Sequence, residues 1–207
     1  ADACRATDKA LVVGAPTRAA ARGLVHNSLL LLTPDGRVQK YDKVYLPTFS
    51  LFEEDHFFKE GNALPVFDVA LGGERVRLGL SICYDLFFPE VTKTLAMRGA
   101  DVIVCASASP TPSRAAFEAV FPARAVETTC HLLYTNLVGA QDAALFWGGA
   151  QAWSARGSLL AKAPYDEEHV LRVRLDMADL AEARRRRPAL RDTRAEVLRM
   201  LLDASRE

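Results

Sequence analysis

Of the four cysteines in the chain, at positions 4, 83, 105 and 130, Cys83 has the setting best suited to chemistry. Cys105 and Cys130 lie among apolar neighbours in predicted elements and read as small core residues. Cys83 instead stands where an apolar run over 76–82 meets Tyr84-Asp85, just before a helix opening near Pro89-Glu90. A side chain at such a strand-to-helix turn is exposed at the sheet edge and faces backbone N–H groups. Those groups favour a thiolate and can hold an oxyanion, the two needs of acyl transfer through a thioester. A cysteine closing a buried strand is also a common core residue, so residue types alone leave both readings open.

The elements that must position Cys83 are legible as short apolar runs alternating with amphipathic segments. Residues 11–14 and 28–32 read as buried strands, and Thr33-Pro34-Asp35-Gly36 as a turn joining the second to a strand over 37–41. The stretch 47–64 has no clean periodicity and is expected to be loop with a short helix. Strand 76–82 leads into Cys83, a helix over 89–98 stops at Gly99, and 101–106 is a further buried strand. Residues 113–129 have helical spacing, with Pro122 expected to kink or break the helix. Strands follow over 132–137, 150–154, 159–163 and 170–175, then closing helices over 176–187 and 192–204. Alternating strands and helices predict an α/β layered fold, and with no repeat or linker the chain reads as one domain.

Composition narrows the function classes. The 207 residues are 50% hydrophobic and 25% charged, ordinary for a globular protein. Lys plus Arg and Asp plus Glu are equal at 26 each, so no overall field favours nucleic acid or an anionic membrane as partner. The run Arg184 to Arg187 reads as the solvated end of a helix. No apolar run approaches the about 20 residues of a membrane span, and the N-terminus lacks a signal-peptide layout. Neither the cysteines nor the histidines at 26, 56, 131 and 169 have metal-ligand spacing, so no metal is expected. Sparse cysteines fit a reducing, cytoplasmic location.

Larger words surround Cys83. The segment Gly79-Leu80-Ser81-Ile82-Cys83-Tyr84-Asp85-Leu86-Phe87-Phe88-Pro89-Glu90, with Leu95 to Asp101 after it, resembles the nucleophile block of the nitrilase (carbon–nitrogen hydrolase) superfamily. Tyr41-Asp42-Lys43-Val44-Tyr45-Leu46-Pro47 resembles its lysine motif, and Phe52 to Gly61 the segment after that. Ala123 to Glu127, Thr135 to Gly139 and Phe146-Trp147-Gly148-Gly149 are similar to later motifs in the same order. The resemblance runs from about Leu11 to the last helices and points to the amidase-like branch, since Tyr-Asp follows the cysteine where nitrilases proper favour Trp-Glu.

The resemblance implies a four-layer αββα sandwich and a Glu–Lys–Cys triad working without a cofactor on a small amide or related substrate. Cys83 aligns with the nucleophile, Lys43 with the lysine that supports the tetrahedral intermediate, and Glu54 with a second glutamate that orients the lysine. The Tyr84 backbone N–H is the natural second oxyanion donor. Phe87 and Trp147 are candidate pocket residues, and Phe87 stands where members acting on dicarboxylate mono-amides often carry arginine. A homodimer or higher homo-oligomer is expected.

One feature departs from the family pattern. The general-base glutamate belongs on a strand upstream of the lysine, yet no glutamate precedes Lys43. The chain is therefore read as an N-terminally incomplete carbon–nitrogen hydrolase domain over 1–207, lacking its N-terminal strands. The alternatives are a non-catalytic scaffold of the same fold and the glutamine-hydrolysing domain of an NAD synthetase.

Overall fold

The computed structural model describes residues 1–71 and 73–207. Eleven strands and six α-helices occur among them, arranged around a six-stranded and a three-stranded sheet. In the smaller sheet β1 (Leu11–Arg18), β2 (Val25–Leu32) and β3 (Val38–Asp42) are antiparallel neighbours in chain order. The β2–β3 turn is the expected one, with Gly36 at positive φ. Helix α1 (Asp2–Thr7) lies against the end of β2, where the buried Cys4 thiol donates to the Leu32 carbonyl.

The larger sheet combines β4 (Val66–Leu71), β5 (Glu74–Ile82), β6 (Val102–Ser107), β7 (His131–Asn136), β10 (Gln151–Trp153) and β11 (Leu159–Lys162). Its order is β11-β10-β7-β6-β5-β4, with β5, β6 and β7 parallel. Helices α3 (Pro89–Met97) and α4 (Arg114–Thr128) make the two crossovers. Gly79 is the point where α3 closes on β5, because a Cβ there would meet Leu95 at 3.1 Å. Leu29 and Leu31 of β2 share one buried cluster with Leu78, Leu80 and Ile82, so β5 is covered on both faces. That explains why its sequence runs apolar instead of alternating to the end.

Several expectations are corrected. β1, read from the sequence as buried, pairs only with β2 among the described residues and leaves Leu11 and Val13 exposed. Of the kink or break expected at Pro122, the break does not occur: α4 continues through it as one helix, held by the buried face of Phe117, Phe121 and Ala125. Residues 170–175 form no strand: their alternation meets no pairing partner among the described residues, and Val170 is 81% exposed. Helix α5 (Met177–Arg186) closes on Ala155 through Leu180 and Ala183, whereas α6 (Ala195–Ala204) buries no residue. Arg184 is not simply solvated, since it donates to the Ala100 carbonyl and Asp101 at 2.6 and 3.1 Å. The strand β4 and the hairpin of β8 (Val138–Gln141) and β9 (Ala144–Trp147) were not anticipated.

Candidate active site

The parallel strands β5, β6 and β7 end on the same side of the sheet, the side where open α/β sheets place ligands. Cys83 is the first residue past β5 and opens a short 3-10 turn, Cys83–Phe87. Its φ is +48°, a left-handed conformation that residues with a Cβ adopt at a cost. The corner lifts the thiol out of the strand without releasing it to solvent, and 8% of the residue remains exposed.

Lys43 reaches the site from the other sheet. It follows β3 directly, its amide donates to the Asn27 carbonyl, and its own carbonyl accepts from Gly61 at 2.7 Å. Gly61 is required there, because a Cβ would lie 2.1 Å from the Asp42 carbonyl oxygen. The Lys43 side chain is fully buried, and its Nζ stands 2.7 Å from both carboxylate oxygens of Glu54. Glu54 opens α2 (Glu54–Phe57), the short helix expected within the loop. A solvated lysine at a strand end is thereby ruled out, since a buried ammonium persists only when paired.

The connection between the two halves is Asp85. Its carboxylate accepts from the Tyr41 hydroxyl at 2.6 Å, from the Tyr45 amide at 2.9 Å and from the Ile82 amide at 2.9 Å. Tyr41 and Tyr45 flank Lys43, while Ile82 precedes Cys83, so one buried carboxylate ties the lysine segment to the cysteine corner. Burial pushes the Asp85 carboxyl up while its three donors pull it down, and burial prevails. The sequence signal for this residue was its place in the Cys-Tyr-Asp word, whose acidic member had no assigned task.

Charges from both sheets act on the Cys83 sulfur. Burial pushes the thiol above its usual range, the Lys43 ammonium and the Ser107 hydroxyl pull it down, and the carboxylates of Glu54 and Asp85 push it up. The net result is a raised thiol, so the lysine moderates the cost of burial without overcoming it. Alkylation by iodoacetamide should accordingly be slower near pH 7 than for a free cysteine and should still be climbing beyond the ordinary thiol range, where thiolate forms. A flat profile between about pH 6 and 9 would mean the thiolate is already formed.

A cavity of about 240 Å³ opens beside the sulfur. Phe49, Phe52, Tyr84, Phe87 and Phe117 form most of its wall, and Ser109 and Ser113 contribute the rest with Pro47. Ser109 follows β6 and is held by Asn136 at the end of β7, through bonds of 2.8 and 3.0 Å. Phe87, singled out as a candidate pocket residue, lines this cavity. Trp147 does not: it is wholly buried, stacked on Tyr134 with ring centroids 5.4 Å apart. Phe117 lies between its layer and the cavity, touching both Phe87 and Trp147, so the indole is core.

Residues 1–185 match the family described as carbon-nitrogen hydrolase. The chain belongs to this family, the nitrilase superfamily. It is 35% identical over 195 residues to an (R)-stereoselective amidase of Pseudomonas sp, covering 93% of this chain and 66% of that one. It is 35% identical over 166 residues to the glutamine-dependent NAD(+) synthetase of Aquifex aeolicus, covering 79% of this chain and 28% of that one. A variant of the amidase from Nesterenkonia sp. AN1 superposes with a TM-score of 0.79 at 30% identity, over 96% of this chain and 70% of that one. That structure shows covalent addition of the acetamide moiety of fluoroacetamide at its active-site cysteine. The αββα sandwich of the nitrilase type is therefore the fold of this chain, which spans less than two thirds of the length of these curated relatives.

Proposed function

We propose that this carbon–nitrogen hydrolase cleaves a non-peptide amide-type bond through a thioester on Cys83. The observation that supports it best is that the Lys43–Glu54 pair, from one sheet, lies close enough to act on the Cys83 sulfur at the corner of the other, and that this sulfur lines a cavity. In the first half-reaction the sulfur attacks the carbonyl carbon, the S–C bond forms and the carbonyl π pair moves to oxygen. Lys43 and the Tyr84 N–H, an opening amide of the 3-10 turn and so without an intrahelical partner, hold that oxyanion. Collapse breaks the C–N bond, and the proton from the thiol leaves with the nitrogen. Water then attacks the thioester, releasing a carboxylic acid and restoring the thiol. Glu54 aims the ammonium.

The test uses Lys43. Because it is buried against Glu54, Lys43→Met is best made together with Glu54→Gln, which avoids an unpaired carboxylate. Loss of a charged oxyanion donor should lower kcat by about 10²–10³ in the full-length protein. A kcat within about tenfold of the parent would remove Lys43 from the chemistry. A Cys83 that takes up no acyl group at all would instead favour a non-catalytic scaffold.

A further inference from the structure

The cavity beside Cys83 is small and carries no charge of its own. Its wall is five aromatic rings, and the two serines in it are already engaged. Ser113 donates to the Pro110 carbonyl at 2.6 Å, and the Ser109 and Ser113 hydroxyls bond to each other. Lys43 and Arg124, which act near it, are already engaged and neither lines its wall. Lys43 is held by both oxygens of Glu54. Arg124 lies behind the wall, donating to the carbonyls of Leu86 and Phe87 at 2.8 and 3.0 Å and to Glu127 at 2.9 Å. The fixed charges felt at the sulfur are the Lys43 ammonium, itself paired, and the two carboxylates of Glu54 and Asp85.

From this geometry we infer that the cavity is the acyl pocket and selects neutral apolar or aromatic carboxamides, rejecting those with a carboxylate on the acyl side. The inference rests on Cys83 being the nucleophile. Size permits it: an apolar cavity of about 150 Å³ holds a benzene ring, so about 240 Å³ admits a ring or branched alkyl group with the carboxamide at its mouth. Adjoining rings of the wall, such as Phe87 and Phe117 packed edge-to-face with centroids 4.7 Å apart at 72°, offer faces and edges for an aromatic guest. A carboxylate entering the same space would lose its water and meet no cation among the described residues, an uncompensated cost. Free glutamine, presenting its side-chain amide, would bring in its α-ammonium and α-carboxylate under the same conditions.

The deciding measurement is acylation of Cys83 by activated esters, which need no proton delivered to the leaving group. 4-Nitrophenyl benzoate and 4-nitrophenyl hydrogen glutarate would be compared by intact mass and nitrophenolate release. Each rate is normalised to that of a free small thiol, with Cys83→Ala as background. The thiol proton passes to buffer, the S–C bond forms and nitrophenolate leaves. We expect the neutral ester to acylate Cys83 at least about tenfold faster. Phe87→Arg should collapse that ratio toward one. Phe49→Arg, at a residue 51% exposed and so tolerant of charge, should shift it in the same direction if Phe87→Arg fails to fold. Equal or faster acylation by the carboxylate ester overturns the inference and leaves Cys83 as nucleophile. Labelling that persists unchanged in Cys83→Ala overturns the nucleophile assignment itself.

Discussion

Cys83→Ala should lower amide turnover of the full-length protein by about 10⁴-fold or more, because a reaction routed through a thioester has no second nucleophile to fall back on. The other three cysteines cannot substitute. Cys4, Cys105 and Cys130 are buried away from the cavity, and burial pushes the Cys105 thiol up to about 12. The same position offers an independent stability measurement. With φ at +48°, alanine and cysteine both strain the corner, whereas glycine does not. Cys83→Gly should therefore be more stable than Cys83→Ala by about 1 kcal/mol in denaturant unfolding, although both are inactive. Equal stability of the two variants would show that the corner is relaxed. Residual turnover near the parent rate would remove the thiol from the reaction.

The second large effect is expected at Asp85. Asp85→Ala strands the Tyr41 hydroxyl and the amides of Tyr45 and Ile82 in a buried space. Each of the three stranded donors costs about 1–3 kcal/mol, so a loss of about 3 kcal/mol or more is expected. That is a large share of the 5–15 kcal/mol typical of a domain. Where the variant still folds, kcat should fall by about 10², since the carboxylate fixes the spacing of the lysine segment from the cysteine corner. Asp85→Asn should be milder: its carbonyl can keep one backbone donor, while its NH₂ meets another N–H and cannot accept from it. Denaturant midpoints for the three proteins, read beside kcat, test this order. An Asp85→Ala loss below about 1 kcal/mol would mean that water replaces the carboxylate and that the pin is dispensable.

The two effects have different ranges. Loss of Cys83 removes one step of the reaction, whereas loss of Asp85 loosens the relation between two sheets. Tyr45 adds a further clamp at that seam, stacking on Phe88 with centroids 3.5 Å apart and donating from its hydroxyl to Glu90 at 2.8 Å. The mobile partners of a reaction are held here mainly by side chains from the segments flanking the reactive residues.

Much of this was legible in the chain itself. The strand into Cys83, its corner, the helices over 89–98 and 113–129 and the turn at 33–36 follow from local periodicity and turn chemistry, which depend on neighbours in sequence. The pairing of Lys43 and Glu54 with Cys83 was readable only as ordered words resembling a family, because nothing local brings positions 40 residues apart together. Three matters were decided by tertiary contacts. Trp147 belongs to the core because Phe117 and Tyr134 fill the space before the cavity. The exposure of β1 and the absence of a strand over 170–175 depend on which partners are present, and apolar alternation is silent about partners. Asp85 could not be read as a pin from its type, since its three donors come from segments about 40 residues distant and from the turn itself. Residue chemistry set what this chain can do; the meeting of two sheets set which residues do it.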